Sequence, residues 1–168
     1  MLPGQFLAGE YPGLRFDPGA TRQRLADLLA AGIDTFIDLT NENERLPYTD
    51  ILNDEAGLYG IRVSHRRFSF PDFHAPGVEA MTAALDAIDA ALDDGRKVYV
   101  HCVGGIGRTG TTVGCWLVRH GMPPAEALAH LRRLYASSAQ SALAPHSPEA
   151  DDQVALILNW RERPPLKE

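Results

Sequence analysis

An α/β fold, with a small, central, mostly parallel sheet flanked by helices, is what this chain of 168 residues predicts. Three observations carry that expectation. Short apolar runs alternate along the chain with stretches of helical periodicity, the pattern of successive βα units. One run, Val98-Tyr99-Val100, is apolar throughout, as a middle strand buried on both faces must be. It leads directly into a glycine-rich loop and then a helix, and in open α/β sheets ligands bind at the carboxyl ends of the strands.

The elements follow in order. Gln5 to Ala8 reads as a short strand. Thr21 is placed to cap a helix through Ala31, with Leu25, Leu28 and Leu29 on one face and Gly32 ending it. Thr35 to Leu39 reads as a buried strand, Asn41 to Tyr48 as a polar loop, and Thr49 as the start of a short helix to Leu58. Ile61 to His65 is a third strand, and Phe68 to Pro76 a loop with two prolines. Val78, Met81, Leu85, Ile88 and Leu92 recur at helical spacing, in a helix that Gly95 ends. After the glycine-rich loop come a helix to His120, another from Pro124 to Tyr135, and a last one from Pro148 to Arg161. Ala136 to Ser147, rich in Ser, Ala and Pro, reads as a surface connection. No repeat and no linker is visible, so residues 1–168 are read as one domain.

Composition narrows the function classes. With 45% hydrophobic and 23% charged residues the chain has the make-up of a soluble globular protein. Two cysteines make no disulfide framework, which suits a reducing compartment. No apolar run approaches the ~20 residues that span a bilayer, and no basic, apolar leader opens the chain. A net charge of −6 argues against nucleic-acid or membrane-surface partners. The expectation is a cytoplasmic monomer.

The chemistry is concentrated in His101-Cys102-Val103-Gly104-Gly105-Ile106-Gly107-Arg108-Thr109-Gly110. A loop of small and apolar residues between Cys102 and Arg108 is able to curl round a tetrahedral oxyanion. Backbone N–H groups of Val103, Gly104, Gly105, Ile106 and Gly107 then point inward, the next helix adds its positive N-terminal end, and Arg108 offers a bidentate fork. Such a positive field favours the thiolate form of Cys102, the nucleophilic one. A thiolate above a phosphate cradle is equipped for phosphoryl transfer through a covalent intermediate. Two other readings of the glycines fail. Gly105, Gly107 and Gly110 fit the dinucleotide spacing, but no strand with a ribose-binding acid follows. A nucleotide P-loop needs a lysine, and none occurs between Lys97 and Lys167.

The string H-C-x5-R-T-G resembles the signature of the cysteine-dependent protein phosphatases. The composition of its loop is similar to that of the kinase-associated and bacterial dual-specificity-like members. Gly9-Glu10-Tyr11-Pro12, Phe70-Pro71-Asp72 and Ser147 to Gln153 extend the resemblance over most of the chain. It implies the cysteine-phosphatase type of fold, with the phosphate loop between the central strand and a helix, and a reaction that needs no metal and no other cofactor.

Roles can then be assigned. Cys102 is the nucleophile, and Arg108 clamps two phosphoryl oxygens where charge develops. Thr109 is placed to donate its hydroxyl to the departing thiolate, or merely to cap the helix. By the resemblance His101 orients the loop from behind, although a plain buried histidine would look the same. The loop cannot protonate the leaving oxygen, so a general acid is required. Asp72 is the best candidate, because Phe70-Pro71-Asp72 resembles the Trp-Pro-Asp acid loop of the tyrosine phosphatases with phenylalanine for tryptophan. His74 is the rival. Gln153 matches the glutamine that positions hydrolytic water in related phosphatases, with Asp151 or Asp152 as caps of the same helix. Asp38, Glu42, Glu44, Arg45 and Tyr48 line either the mouth of the site or a solvated loop. His65 with Arg62, Arg66 and Arg67 is a basic cluster that either meets acidic substrates or edges the sheet. Cys115 reads as core, with a resolving thiol as the alternative.

The expected activity is phosphomonoester hydrolysis on phosphoproteins, phosphotyrosine first and phosphoserine or phosphothreonine second. Phosphoinositides or other small esters come behind, because positions 103 to 107 carry no charge to meet a polyanionic headgroup. Sulfur transfer of the rhodanese or arsenate-reductase kind has no use for Asp72. A phosphate-binding pseudophosphatase has no use for Cys102, Arg108 and Asp72 together.

Overall fold

In the computed structural model residues 4–142 and 144–162 are described. The expected single domain over 1–168 and the expected connection Ala136 to Ser147 include residues 1–3, 143 and 163–168, which lie outside the described residues. Four strands, β1 (Phe6–Gly9), β2 (Thr35–Asp38), β3 (Ser64–Arg67) and β4 (Val98–His101), form one sheet in the order β1-β4-β2-β3, every pairing parallel. Six helices flank it: α1 (Pro18–Ala30), α2 (Thr49–Leu58), α3 (Val78–Asp93), α4 (Gly107–Arg119), α5 (Pro124–Ala136) and α6 (Asp151–Leu158). A 3₁₀ turn, Ala139–Ala142, interrupts the connection after α5.

Alternation along the strands sorts the core into two layers. Ile37, Val98 and Val100 face one side, packed with Met81, Leu85 and Ile88 of α3, Trp116 of α4, Leu131 of α5 and Ile157 of α6. Phe36 and Tyr99 face the other, packed with Leu25 and Leu29 of α1 and Leu52 of α2. The central strand β4 is buried along its whole length, as its unbroken apolar run requires.

Three elements differ from the sequence reading by more than one residue. Helix α1 begins before Thr21: Asp17 caps it, accepting from the Ala20 N–H at 2.8 Å, and Pro18 fills the first turn, where its missing N–H costs nothing. Strand β3 lies later than Ile61 to His65, because the ladder it joins runs only over Thr35 to Asp38. Ile61 and Val63 instead pack on the α1–α2 layer as the lead-in to that edge strand. Helix α6 starts at Asp151 rather than Pro148, since Ala150 is still extended, and it ends at Leu158 rather than Arg161.

The register places one row of polar residues at the carboxyl end of the sheet. Gly9 pairs with His101, His101 with Asp38, and Asp38 with Arg67. The phosphate loop leaves β4 directly above this row.

Candidate active site

The loop from Cys102 to Arg108 is pinned on the β1 side. The Tyr11 N–H donates to the Val103 carbonyl at 2.9 Å. Gly105 has φ +71°, and a Cβ there would lie 2.5 Å from the Gly9 backbone carbon. Both the left-handed conformation and the close approach demand glycine. On the other side Ser147 Oγ donates to the Ile106 carbonyl at 2.8 Å. Thr111 and Thr112 turn their hydroxyls back to the Gly107 and Arg108 carbonyls, at 2.7 and 2.9 Å.

Cys102 is 3% exposed at the base of this loop. Behind it His101 is fully buried, and burial holds its imidazole down at about 4, neutral at ordinary pH. Tyr48 Oη, a phenol that burial keeps protonated, lies 2.7 Å from His101 Nε2; because Nδ1 of the same neutral ring faces two acceptors, Nε2 carries no proton and accepts from the hydroxyl. The remaining proton then sits on Nδ1, which faces the Cys102 carbonyl at 3.4 Å and Asp38 Oδ1 at 3.9 Å. Asp38 is wholly buried. Burial alone would raise its carboxyl, but the His65 and His101 imidazoles and the Thr40 bonds outweigh burial and hold it well below the usual carboxylate range. Thr40 donates twice to Oδ1, and Arg67 donates through Nε and Nη2 to Oδ2 at 3.1 and 2.9 Å. His65 Nε2 lies 3.3 Å from Oδ2, off hydrogen-bonding alignment. Asp38 and Tyr48 therefore belong to the support behind the loop, not to its mouth. Arg67 and His65 turn inward to Asp38, so only Arg62 and Arg66 of the basic cluster stay free of it, Arg66 lying over the Phe68 ring.

Arg108 is 1% exposed, and three acceptors converge on its guanidinium. Glu44 takes Nη1 and Nη2 at 2.8 and 2.7 Å, and the Leu39 carbonyl lies 3.4 Å from Nη1. Asp72 Oδ1 is 3.1 Å from Nη2. Arg108 Nε is buried with no partner, which leaves a donor for an anion in the loop. Thr109 Oγ1 is likewise buried and unpartnered, so the structure gives it no capping bond. The hydrogen bond from Arg108 holds the Glu44 carboxyl below its ordinary value. Glu44 is therefore no part of a solvated loop, whereas Glu42 and Arg45 are exposed.

The loop that carries Asp72 is anchored at both ends. Phe70 is fully buried, and its N–H donates to the Leu39 carbonyl at 3.3 Å. At the far end Asp152 Oδ2 accepts from the Ala75 N–H at 3.0 Å, and Gln153 Nε2 donates to the His74 carbonyl at 3.3 Å. Asp152 thus holds the loop rather than capping α6. Between these anchors the Asp72 side chain is 46% exposed and lies over the guanidinium. His74 is 73% exposed and faces Asp152 at 3.3 Å, away from Arg108. Gln153 is fully buried against the loop: a Cβ on Gly107 would meet its Oε1 at 2.9 Å.

One carboxylate escaped the sequence reading. Glu149 is exposed, yet its Oε1 would lie 2.6 Å from a Cβ on Gly107. Partial burial and the nearby Asp72 charge raise its carboxyl, with Arg108 opposing. The available signal was its place in Ser147 to Gln153, just before the helix that carries Gln153. Cys115 is fully buried, and burial pushes its thiol far up, so it packs rather than reacts. Among the described residues no cluster of three or more His, Cys, Asp or Glu is arranged to hold a metal ion. No helix among them is long and apolar enough to cross a membrane.

Comparison with known proteins agrees with this geometry. Residues 14–122 match the family model described as a polymorphic toxin system DSP-PTPase phosphatase. The chain is 30% identical over 141 residues to pig cyclin-dependent kinase inhibitor 3, covering 81% of this chain and 66% of that protein. It is 33% identical over 104 residues to mouse protein tyrosine phosphatase domain-containing protein 1, which covers 56% of this chain but only 13% of that much longer relative. The crystal structure of Tk-PTP in its active form superposes with a TM-score of 0.68 at 27% identity, over 96% of this chain and 99% of that one. The chain belongs to the DSP-PTPase phosphatase family, the cysteine-dependent phosphatases of dual-specificity type.

Proposed function

We propose that the protein hydrolyses phosphomonoesters on protein side chains, phosphotyrosine first and phosphoserine or phosphothreonine second, through a cysteinyl-phosphate intermediate. The observation that carries this reading is the Asp72 carboxyl 3.1 Å from Arg108 Nη2, over the loop that holds Cys102 at its base. Bound phosphate is held by the loop N–H groups and by Arg108. Cys102 sulfur attacks phosphorus, the P–O bond to the substrate breaks, and Asp72 gives its proton to the leaving oxygen. In the second step Asp72, now a carboxylate, takes a proton from a water placed by Gln153. That water attacks phosphorus and the P–S bond breaks, with the Thr109 hydroxyl donating to the departing thiolate. No step requires a metal ion, and a reducing, cytoplasmic setting keeps Cys102 active.

The test is turnover of p-nitrophenyl phosphate by the wild type and by Cys102→Ser, with and without a chelator, followed by matched phosphotyrosine and phosphoserine peptides and by vesicles bearing a phosphoinositide. Turnover lost with Cys102→Ser, unaffected by chelator and highest on the phosphotyrosine peptide is the expected result. A preference for the vesicles would assign a lipid substrate instead.

A further inference from the structure

On the far side of Glu44, the partner of Arg108, lies a cleft of about 490 Å³ that the reaction above does not use. It runs between the segment after β1, residues 13–18, and the segment after β2, residues 43–51. We propose that this cleft is a substrate subsite for an acidic stretch of phosphopeptide carrying an apolar side chain, adjacent to the phosphorylated residue. The proposal rests on the phosphopeptide reading and adds to it a rule of selection.

Its position comes first. Glu44 forms part of the cleft wall, while its carboxylate holds Arg108 at 2.7 and 2.8 Å. One side chain thus belongs both to the cleft wall and to the arginine of the phosphate cradle, which places the cleft next to the site.

The walls are apolar and already in place. Leu14 and Leu46 are 36% and 60% exposed, an unusual amount of leucine surface on two facing segments, and Ile51 and Pro47 continue it. Tyr11 Oη donates to the Leu46 carbonyl at 3.0 Å, and Thr21 Oγ1 accepts from the Leu14 N–H at 2.8 Å. Tyr11 and Thr21 are themselves buried, so each wall hangs on a fixed hydroxyl. A preformed slot spares a ligand the cost of ordering loops.

Charge selects the occupant. The charged residues lining the cleft are Arg15, Arg45 and Glu44. Glu44 is neutralised by Arg108, whereas neither Arg15 nor Arg45 has an ion pair among the described residues. In a chain of net charge −6 the cleft is thus a locally positive exception, and it complements an acidic segment. Asn43, held at φ 63°, makes the turn that sends Glu44 inward, and it is a residue type that tolerates that conformation.

The experiment compares kcat/KM for two phosphotyrosine peptides of equal length, one with Asp, Glu and Leu around the phosphotyrosine and one with Ala and Lys there. p-Nitrophenyl phosphate, too small to reach the cleft, serves as the internal reference. The wild type should prefer the acidic peptide. The double variant Arg15→Ala, Arg45→Ala should lower the ratio of kcat/KM on the acidic peptide to that on the reference by about tenfold, through KM, as two exposed charge contacts imply. Arg15→Lys with Arg45→Lys should restore most of it, and added salt should erode the wild-type preference. A ratio unmoved by the alanine pair, or arginine dependence seen only on phosphoinositide vesicles, overturns the subsite. Failure to turn over the reference at all would strike the phosphatase reading instead, so the two failures are distinct.

Discussion

Behind the phosphate loop Asp38 and His101 are fully buried and tied to Thr40, Arg67 and Tyr48, whereas in front of it Asp72 and Glu149 stand in solvent on short connections. The rear groups sit on strands and cannot move without breaking a row that crosses the sheet. The loop that carries Asp72 is held at its ends, at Phe70, Ala75 and Gln153, and between them by the one ion pair of Asp72 with Arg108. The contrast fits what the proposed reaction asks of each side. A buried charge is retained only when it is paired, and the pairing fixes geometry. A group that must give up and take back a proton needs access to substrate and water, which a buried network denies. In the proposed reaction, rigid support and the proton that Asp72 exchanges are thus divided between the two sides of one loop.

The loop itself separates the two regions, and breaking it should have the largest effect. Cys102→Ser removes the covalent route and should abolish turnover. Arg108→Ala removes the clamp on developing charge and should cost about 10²–10³-fold or more in kcat. It also frees Glu44 and Asp72 to repel each other. Steady-state kinetics on p-nitrophenyl phosphate check both, and near wild-type turnover in either variant would refute the mechanism.

Next comes the front. Asp72→Asn should slow hydrolysis of phosphotyrosine or an alkyl ester by about 10²–10⁴-fold, the usual worth of a positioned acid. p-Nitrophenyl phosphate, whose phenol leaves with little help, should lose less. His74→Ala should do little to either, because its ring faces Asp152. Equal losses on the two esters, or a larger loss from His74→Ala, would take the acid role from Asp72.

The rear should show itself in acid. His101 titrates at about 4 in the folded protein against 6.5 in the unfolded chain, so between those values the unfolded state binds more protons. Stability is therefore full above pH 6.5 and falls as pH drops from there towards 4, by about 3 kcal/mol in all. Asp38, held low, adds its own loss only at more acid pH. Urea midpoints measured from pH 7 to pH 4 test this, and His101→Gln should flatten the slope. A slope unchanged in that variant would remove His101 as its source.

The same division explains what was legible in the chain. The phosphate loop, its strand and its helix are contiguous, so ten residues carry strand, turn and cap together. Asp72 was legible because a proline and an aromatic residue mark its loop. Asp38 and Arg67 read as surface charges, since their pairing depends on the register of β2 with β3, which spacing along the chain does not encode. Glu44 reads as loop for the same reason, its partner lying 64 positions away. β3 lies later than the apolar pattern implies because an edge strand need not be apolar, and the apolar residues Ile61 and Val63 belong to its lead-in.

The smallest expected effect tests whether the front is arranged at all. Gly107 opens α4 with ordinary backbone geometry, so alanine is tolerated there by the main chain. A Cβ would approach Glu149 Oε1 at 2.6 Å and the Gln153 amide at 2.9 and 3.0 Å. All three are side-chain ends, and Glu149 is exposed enough to swing away. The buried Gln153 amide has less room, and moving it loosens its bonds to Ala150 and to the His74 carbonyl. Gly107→Ala should therefore lower kcat by about fivefold, a barrier change of about 1 kcal/mol. It should leave the urea midpoint nearly unchanged, because the helical gain of alanine over glycine offsets the lost contacts. The loss should fall on breakdown of the cysteinyl-phosphate, so a faster-than-steady-state release of p-nitrophenol should become visible. An unchanged kcat would mean that Gln153 and Glu149 touch the loop without serving the reaction, and the front would then reduce to Asp72 alone.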